Sequence, residues 1–158
     1  MDKKTLKIII FLAILGIFVS AYLLKLYYSD GSPICDIGDT FSCTDVKNSD
    51  YSEAFGIPMA GYGLMVYFLI GLMAVCRYKK EQLLKNVWLQ KAFTQQNLFY
   101  VSFTALIFSL YLTYIEFFII KALCLFCLIS LGIIMVITFY TYKNLKIKEN
   151  KFEFGLNK

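Results

Sequence analysis

Residues 122–142 read ALCLFCLISLGIIMVITFYTY, an apolar run of 21 residues that contains no charge. A helix that crosses a bilayer needs roughly 20 such residues. Three further windows also lack any charge: Ile8–Leu24, Ile57–Cys76 and Leu98–Ile115, with 17, 20 and 18 residues. A soluble protein of 158 residues can bury one helix of this kind but not four. The sequence therefore predicts an all-α integral membrane protein, a bundle of four transmembrane helices.

The helix boundaries follow from the turn signals. The predicted helices cover about residues 6–28, 57–76, 97–120 and 122–142. The cluster Ser29–Pro33 ends the first helix. Residues 29–56 then form a long loop between the first two helices, and Pro58 falls in the first turn of the second, where its missing N–H has no cost. Residues 1–145 are predicted as one membrane domain and residues 146–158 as a short cytoplasmic tail.

The basic residues predict the orientation of this bundle. Of the 16 basic residues, 13 lie before the first window, between the second and third, or after the fourth. The positive-inside rule places both termini and the middle loop in the cytoplasm, with the two other connections outside. Nucleic-acid binding is disfavoured because the charge is split among three loops.

The first helix is predicted to be retained. Its basic start resembles a signal peptide, but no small-x-small cleavage site follows the apolar run. In the second helix Gly61, Gly63 and Gly71 predict close packing against a neighbouring helix.

The five cysteines sort by position on this topology. Cys35 and Cys43 lie in the outward loop, and Cys124 and Cys127 lie at the outer start of the fourth helix. All four reach the side of the membrane where disulfides persist. Cys76 lies at the inner end of the second helix, where a lone thiol acts as a small hydrophobe.

The Cys124-Leu-Phe-Cys127 motif has the features of a redox site. A helix N-terminus favours a thiolate, the species that exchanges disulfides. Its apolar neighbours place it beside a lipid-soluble acceptor such as a quinone, whereas the exposed loop pair can reach a protein. Three interpretations remain: a redox relay between the pairs, purely structural disulfides, or a zinc site with four cysteines. The missing histidine excludes zinc sites of the Cys/His type, His-ligated haem and Ser-His-Asp catalysis within the chain.

Two further features invite a functional interpretation. Glu116 is a lone acid near the outer end of the third helix, which predicts either an ion pair with Lys121 or a role in proton transfer. The aromatic side chains are candidates for a quinone-binding wall or for ordinary packing and interfacial positions: Tyr62, Tyr67, Phe103, Tyr111 and Tyr114.

One combination of motifs resembles a known family, the vitamin K epoxide reductases, over about residues 6 to 142. It consists of Cys35-x7-Cys43, Ser49, Phe55-Gly-Ile-Pro58, Tyr111-Leu-x-Tyr114 and Cys124-x-x-Cys127. The main rival is the DsbB-like disulfide generators, in which the CxxC belongs to the first outward segment. Here the CxxC lies at the fourth helix, and this order favours the first family.

The resemblance implies a four-helix bundle around a quinone of the ubiquinone or menaquinone type, with no metal. It implies that Cys127 reacts with the quinone, that Cys124 exchanges with Cys43, and that Cys35 exchanges with the partner. Ser49 is implied to order the loop or the quinone site. The other substrate-binding candidates that follow from it are Ser52, Phe55, Tyr111 and Tyr114.

The departures from the family pattern bear on partner and substrate. Many bacterial members carry a fused thioredoxin-like domain that this chain lacks, so a separate thioredoxin-fold (DsbA-like) partner on the outer side is expected. Leu131 stands where the animal enzymes have Tyr, so reduction of vitamin K epoxide stays open. Ser52 stands where Asn is usual, which leaves its hydrogen-bonding role open.

The predicted function is that of a quinone-dependent thiol–disulfide oxidoreductase in the bacterial cytoplasmic membrane, which generates disulfides in its partner. Two alternatives remain. One is a non-enzymatic membrane assembly protein with structural disulfides. The other is a quinone or vitamin K epoxide reductase whose main product is the reduced quinone.

Overall fold

The computed structural model describes residues 3–29, 43–49, 51–54, 56–79 and 94–156. Within these ranges it has five α-helices, two short strands and one π-helical turn. In chain order they are α1 (Lys3–Tyr28), α2 (Cys43–Asn48), β1 (Glu53–Ala54), β2 (Ile57–Pro58), α3 (Met59–Tyr78), α4 (Gln95–Ile115), π1 (Glu116–Ile120) and α5 (Leu125–Leu156).

Four stretches of helix are long and apolar enough to cross a membrane. They are Lys3–Tyr28, Met59–Tyr78, Gln95–Ile120 and Leu125–Lys146. The predicted four-helix membrane bundle is therefore confirmed. The long outward loop stays a prediction, because residues 30–42 lie outside the described part of the chain.

Several helix boundaries differ from the predicted ones, and three of these differences have a local cause. The last helix begins at Leu125 instead of 122, because Lys121 adopts a left-handed conformation (φ 57°) that ends the preceding helix. It continues past 142 to Leu156, through a segment rich in lysine, glutamate and leucine, which are strong helix formers. The second membrane helix begins at Met59, so Pro58 is its N-cap and not a residue of its first turn.

Small residues hold α1 against α3. A Cβ atom at Gly16 would overlap the ring of Tyr67, so the two helices approach closely at this point. On the other side of the contact, a Cβ at Gly63 would lie 3.1 Å from Ser20 Oγ, and one at Gly71 would lie 3.5 Å from Ala13 Cβ. The predicted packing role is confirmed for Gly63 and Gly71. At Gly61 the nearest atom would belong to Ile57, beside the start of its own helix.

Two hydroxyl groups connect α5 to the other helices. Tyr67 donates a hydrogen bond from α3 to the Ser130 carbonyl, at 2.8 Å. The Thr138 hydroxyl lies 3.2 Å from the Ser102 carbonyl of α4 and 2.8 Å from the Ile134 carbonyl of its own helix, so its one proton is shared between these two acceptors. Polar side chains of this kind attach helices to one another in a membrane, where water competes little for them. The buried core between the helices is aliphatic and includes Ile9, Ile70, Leu98, Ile134 and Ile137.

The outer surface of the bundle is apolar. Many large hydrophobic side chains on the helices are more than half exposed, among them Phe11, Phe18, Met65 and Phe139. In water, exposed apolar surface of this kind costs about 25 cal/mol of free energy per Å² relative to buried surface. In a bilayer the same side chains contact lipid instead of water.

A hairpin fixes the segment between α2 and α3. β1 and β2 pair antiparallel, with Glu53 opposite Pro58 and Ala54 opposite Ile57. Gly56 in the turn has a φ of 76°, a value that glycine adopts without strain. Tyr27 of α1 donates a hydrogen bond to Glu53 at 2.8 Å, and Tyr62 of α3 donates one to the Ala54 carbonyl at 3.1 Å. The hairpin is therefore anchored to both helices at one end of the bundle.

Candidate redox site

Two sulfur atoms from distant parts of the sequence meet at this end of the bundle. Cys43 is the first residue of α2, and Cys124 directly precedes α5. Their Sγ atoms lie 3.3 Å apart, and both side chains are buried. Cys43 is in a disulfide, and its partner lies outside the described residues. Cys124 and Cys127 carry free thiols. A disulfide sulfur thus lies in contact with a free thiol.

The start of α5 surrounds Cys124 with hydrogen-bond donors. The backbone N–H of Cys127 donates to Cys124 Sγ at 3.4 Å, and that of Leu128 donates to the Cys124 carbonyl at 3.1 Å. Cys124 is therefore the N-cap of the helix, and its sulfur takes the position of a capping oxygen. The positive end of the helix dipole favours a thiolate there.

The pKa of the Cys124 thiol is lowered from its ordinary value. The largest cause is the hydrogen bond from the Cys127 thiol, and the N–H groups of Cys127 and Phe126 act in the same direction. Burial and the nearby carboxylate of Glu116 oppose the shift. Of the two thiols in the motif, Cys124 is therefore the one whose thiolate is stabilised, and it lies in contact with the sulfur of Cys43.

Glu116 lies beside this thiol pair. It begins π1, its side chain is only 4% exposed, and its carboxylate accepts the N–H of Cys124 at 3.2 Å. Single π-helical turns of this kind often occur at functional sites. Lys121 is exposed, and no ion pair joins it to Glu116. The carboxylate is directed to the cysteines instead.

A cavity of about 470 Å³ opens next to the sulfur atoms. Its wall includes Cys43, Cys124 and Cys127, together with aliphatic side chains of α1, α3 and α4 such as Leu23, Met59 and Leu112. This volume lies in the usual range for small-molecule sites, which are mostly apolar with a few polar groups. A smaller cavity, of about 130 Å³, extends toward Ser20, Tyr67 and Ser130 in the middle of the bundle. Cys127 and Glu116 line both cavities.

A family model for the vitamin K epoxide reductase family matches residues 7–142, most of the chain. The chain belongs to this family. Membership implies a membrane thiol oxidoreductase that uses a quinone. No curated protein matches the chain.

The walls of the larger cavity fit the substrate expected of this family. A quinone has a flat apolar ring and an apolar tail, which suit aliphatic walls, and two carbonyl oxygens, which need hydrogen-bond donors. The Ser49 and Ser52 side chains line the cavity, and so does Tyr27. The Ser49 hydroxyl donates to the Val46 carbonyl at 2.8 Å, which closes the end of α2.

The other predicted site residues of this vitamin K epoxide reductase family member fall into two groups. Cys35 and Phe55 lie outside the described part of the chain. Tyr111 and Tyr114 are 56% and 55% exposed and line neither cavity.

Helical periodicity explains why neighbours of these tyrosines reach the cavity instead. Leu112, Ile115 and Glu116 are spaced three and four positions apart, which places them on one face of the helix, and all three line the larger cavity. The two tyrosines lie on the adjacent face, where Tyr114 contacts Phe118 with ring centroids 4.6 Å apart.

Tyr27 is a site residue that the sequence reasoning missed. It lines the cavity from the last turn of α1 and holds the hairpin through Glu53. The sequence contained a weak signal, since a tyrosine at the end of a membrane helix has a polar tip that needs a partner. Nothing in its local sequence indicated that the partner would be Glu53.

Proposed function

We propose that the protein generates disulfides in a thioredoxin-fold (DsbA-like) partner and passes the two electrons to a membrane quinone. The observation that carries this proposal is the 3.3 Å contact between Cys43 Sγ and Cys124 Sγ. It joins the loop segment to the membrane motif at the distance at which one sulfur can attack the other.

The first half of the relay takes place at the loop pair. The partner's thiolate attacks Cys35 in a Cys35–Cys43 disulfide and releases Cys43 as a thiolate. The partner's second thiol then displaces Cys35 and closes the partner's own disulfide. Two electrons and two protons have moved to the chain, which now holds Cys35 and Cys43 as a dithiol.

The second half transfers these electrons to the membrane motif. Cys43 attacks Cys124 of a Cys124–Cys127 disulfide and releases Cys127. Cys35 then attacks Cys43, which restores the loop disulfide and leaves Cys124 and Cys127 as free thiols. The donors around Cys124 Sγ stabilise it as the leaving thiolate of this step. Both the disulfide at Cys43 and the free Cys124 and Cys127 thiols of this end state correspond to those described above.

Cys127 is the residue proposed to meet the quinone. It lines both cavities, whereas Cys124 lines only the larger one and is 1% exposed. A bound quinone accepts two electrons and two protons. Ser49 and Ser52 are proposed as substrate-binding residues, and the aliphatic walls keep water from the thiols. For Phe55, Tyr111 and Tyr114 a substrate-binding role stays a prediction from the resemblance.

The orientation belongs to the same proposal. From the distribution of basic residues, we propose that the redox cysteines lie on the outer side of a bacterial cytoplasmic membrane, where an oxidising partner operates. Both termini then lie in the cytoplasm.

Reconstitution tests the proposal directly. The purified protein is combined with a reduced thioredoxin-fold protein and a soluble ubiquinone or menaquinone analogue, and the absorbance of the quinone is followed. We expect quinone loss and partner oxidation in equal amounts. Cys35→Ala and Cys127→Ala should each abolish the coupled reaction, because each breaks one end of the relay.

Cys76→Ala is the matched control, since this free thiol lies on α3 away from both cavities. It should keep full activity. If Cys35→Ala and Cys127→Ala both retain wild-type rates, the relay is wrong. A wild-type protein that oxidises no partner and reduces no quinone would support the structural-disulfide alternative.

A further inference from the structure

Among the described residues that line either cavity, Glu116 is the only carboxylate, and none is a lysine or an arginine. It sits where the two cavities share a wall with Cys127. The relay of sulfur atoms does not use this group. Its position therefore requires a separate explanation.

The contacts of Glu116 all lead to the thiol pair. Its carboxylate accepts the N–H of Cys124 at 3.2 Å and interacts with the Cys127 thiol. The ionisable groups that line these cavities from the other elements are phenols: Tyr27 of α1, Tyr51 after α2, and Tyr62 and Tyr67 of α3. Cys43 is in a disulfide and carries no thiol proton. Of these groups, the Cys127 thiol is the one that contacts this carboxylate.

Burial makes this carboxyl group able to exchange a proton. An ionised carboxylate is costly to hold in an apolar region unless it is paired with a positive charge. Here a single backbone N–H and a thiol take the place of a cation. Protonation of the carboxylate removes the unpaired charge, so the apolar environment favours uptake of a proton from a neighbouring thiol.

We propose that Glu116 carries the thiol protons to the quinone site, an inference that rests on the proposed function. Oxidation of the Cys124–Cys127 dithiol releases two electrons and two protons as the sulfur–sulfur bond forms. Glu116 takes the proton of Cys127 Sγ, gives it up at the cavity, and returns to the carboxylate. It then takes the proton of Cys124 Sγ in the same way. Both electrons and both protons reach the quinone, and Glu116 ends unchanged.

A purely structural role is the competing explanation. Glu116 could serve only to cap the Cys124 N–H and order the turn before α5. Glu116→Gln separates the structural role from the proton-transfer role. The amide oxygen still accepts that hydrogen bond, but the amide cannot take up and release a proton as a carboxylate does. Glu116→Asp keeps the proton and shortens the reach. Glu53→Gln is the matched control, because Glu53 accepts a hydrogen bond from Tyr27 but lines neither cavity.

The first test needs no quinone. Infrared spectra of the purified protein are recorded as a function of time while diamide oxidises the dithiol form of the membrane motif. We expect a transient C=O band of a protonated carboxyl group in wild type and in Glu53→Gln, which decays as the carboxylate returns, and no such band in Glu116→Gln. A capping role predicts no such band in wild type. Absence of the band in wild type, or its appearance in Glu116→Gln, would overturn the proposal.

The second test uses the coupled reaction across a range of pH. Loss of general acid–base catalysis costs about 100-fold or more in rate. We expect that loss in Glu116→Gln, partial recovery in Glu116→Asp, and wild-type rates in Glu53→Gln. A Glu116→Gln enzyme as fast as wild type at every pH would contradict the role of Glu116 and leave the proposed function standing. A wild-type protein that reduces no quinone would contradict the proposed function itself, while the infrared test still decides on Glu116.

Discussion

At the residue scale, the position of Cys124 explains how the fold stabilises a thiolate in an apolar environment. A thiolate in a membrane boundary region lacks water, so backbone N–H groups at the start of α5 and the Cys127 thiol supply its hydrogen bonds. The same burial that favours the neutral thiol also excludes competing nucleophiles. The hydrogen bonds outweigh the effect of burial, so the pKa of the Cys124 thiol is lowered.

The lowered pKa of Cys124 predicts how its alkylation depends on pH. Cys127→Ala removes the largest cause of the shift, so the pKa of Cys124 should rise toward that of an ordinary cysteine. A raised pKa means that less thiolate is present at neutral pH. The pH midpoint of Cys124 alkylation, measured by peptide mass spectrometry, should therefore move to higher pH in Cys127→Ala. Cys76→Ala should leave the midpoint in place. A midpoint that does not move would show that Cys127 is not what lowers the pKa.

Residue types and spacing indicated Cys43 and Cys124 as redox candidates, because disulfide exchange requires thiols, whereas Ser49 followed only from the family resemblance. Residue types and spacing were not enough to assign Glu116. Its partner is the backbone N–H of Cys124, which becomes available only because Lys121 turns the chain and α5 starts at Leu125. The charge pattern alone suggested Lys121 as the nearest opposite charge.

At the element scale, the contact between α1 and α3 determines the shape of the bundle. The glycines at its centre allow Tyr67 to lie across Gly16 and reach Ser130 on α5. The sequence indicated the small residues on α3, but not the facing positions on α1. Facing positions depend on the rotation of each helix, which an almost uniformly apolar helix does not reveal through its pattern.

Gly16→Ala tests this contact. The added methyl group would overlap the Tyr67 ring and separate the helices, and overpacking of this kind costs about 1–3 kcal/mol. We expect a lower thermal unfolding midpoint in detergent. Gly132→Ala is the matched control, because a Cβ there would meet nothing within 4 Å. It should leave the midpoint unchanged or raise it slightly. Equal midpoints for both variants would mean that the α1–α3 approach is looser than described.

At the scale of the whole molecule, hydropathy and length were enough to predict four spans, because a bilayer restricts helices more tightly than water does. The same constraint does not determine how loops close over the site. α2, the hairpin and the cavity beneath them depend on contacts between residues far apart in the chain, such as Cys43 with Cys124 and Tyr27 with Glu53.

The proposed orientation has its own test. In a protein with all five cysteines replaced by alanine, Glu53→Cys and Lys79→Cys place single exposed thiols at opposite ends of α3. A membrane-impermeant thiol reagent added to intact cells should label Glu53→Cys. It should label Lys79→Cys only after the membrane is permeabilised. The reverse pattern would invert the proposed topology and place the redox site in the cytoplasm.

The most direct test of the account is a trapped bond between the two halves of the relay. In a protein carrying Cys35→Ala, Cys127→Ala and Cys76→Ala, only Cys43 and Cys124 remain. Mild oxidation followed by peptide mass spectrometry should yield a Cys43–Cys124 disulfide in nearly every molecule, because the two sulfur atoms are already in contact. Recovery of both cysteines as free thiols under the same oxidation would contradict the relay.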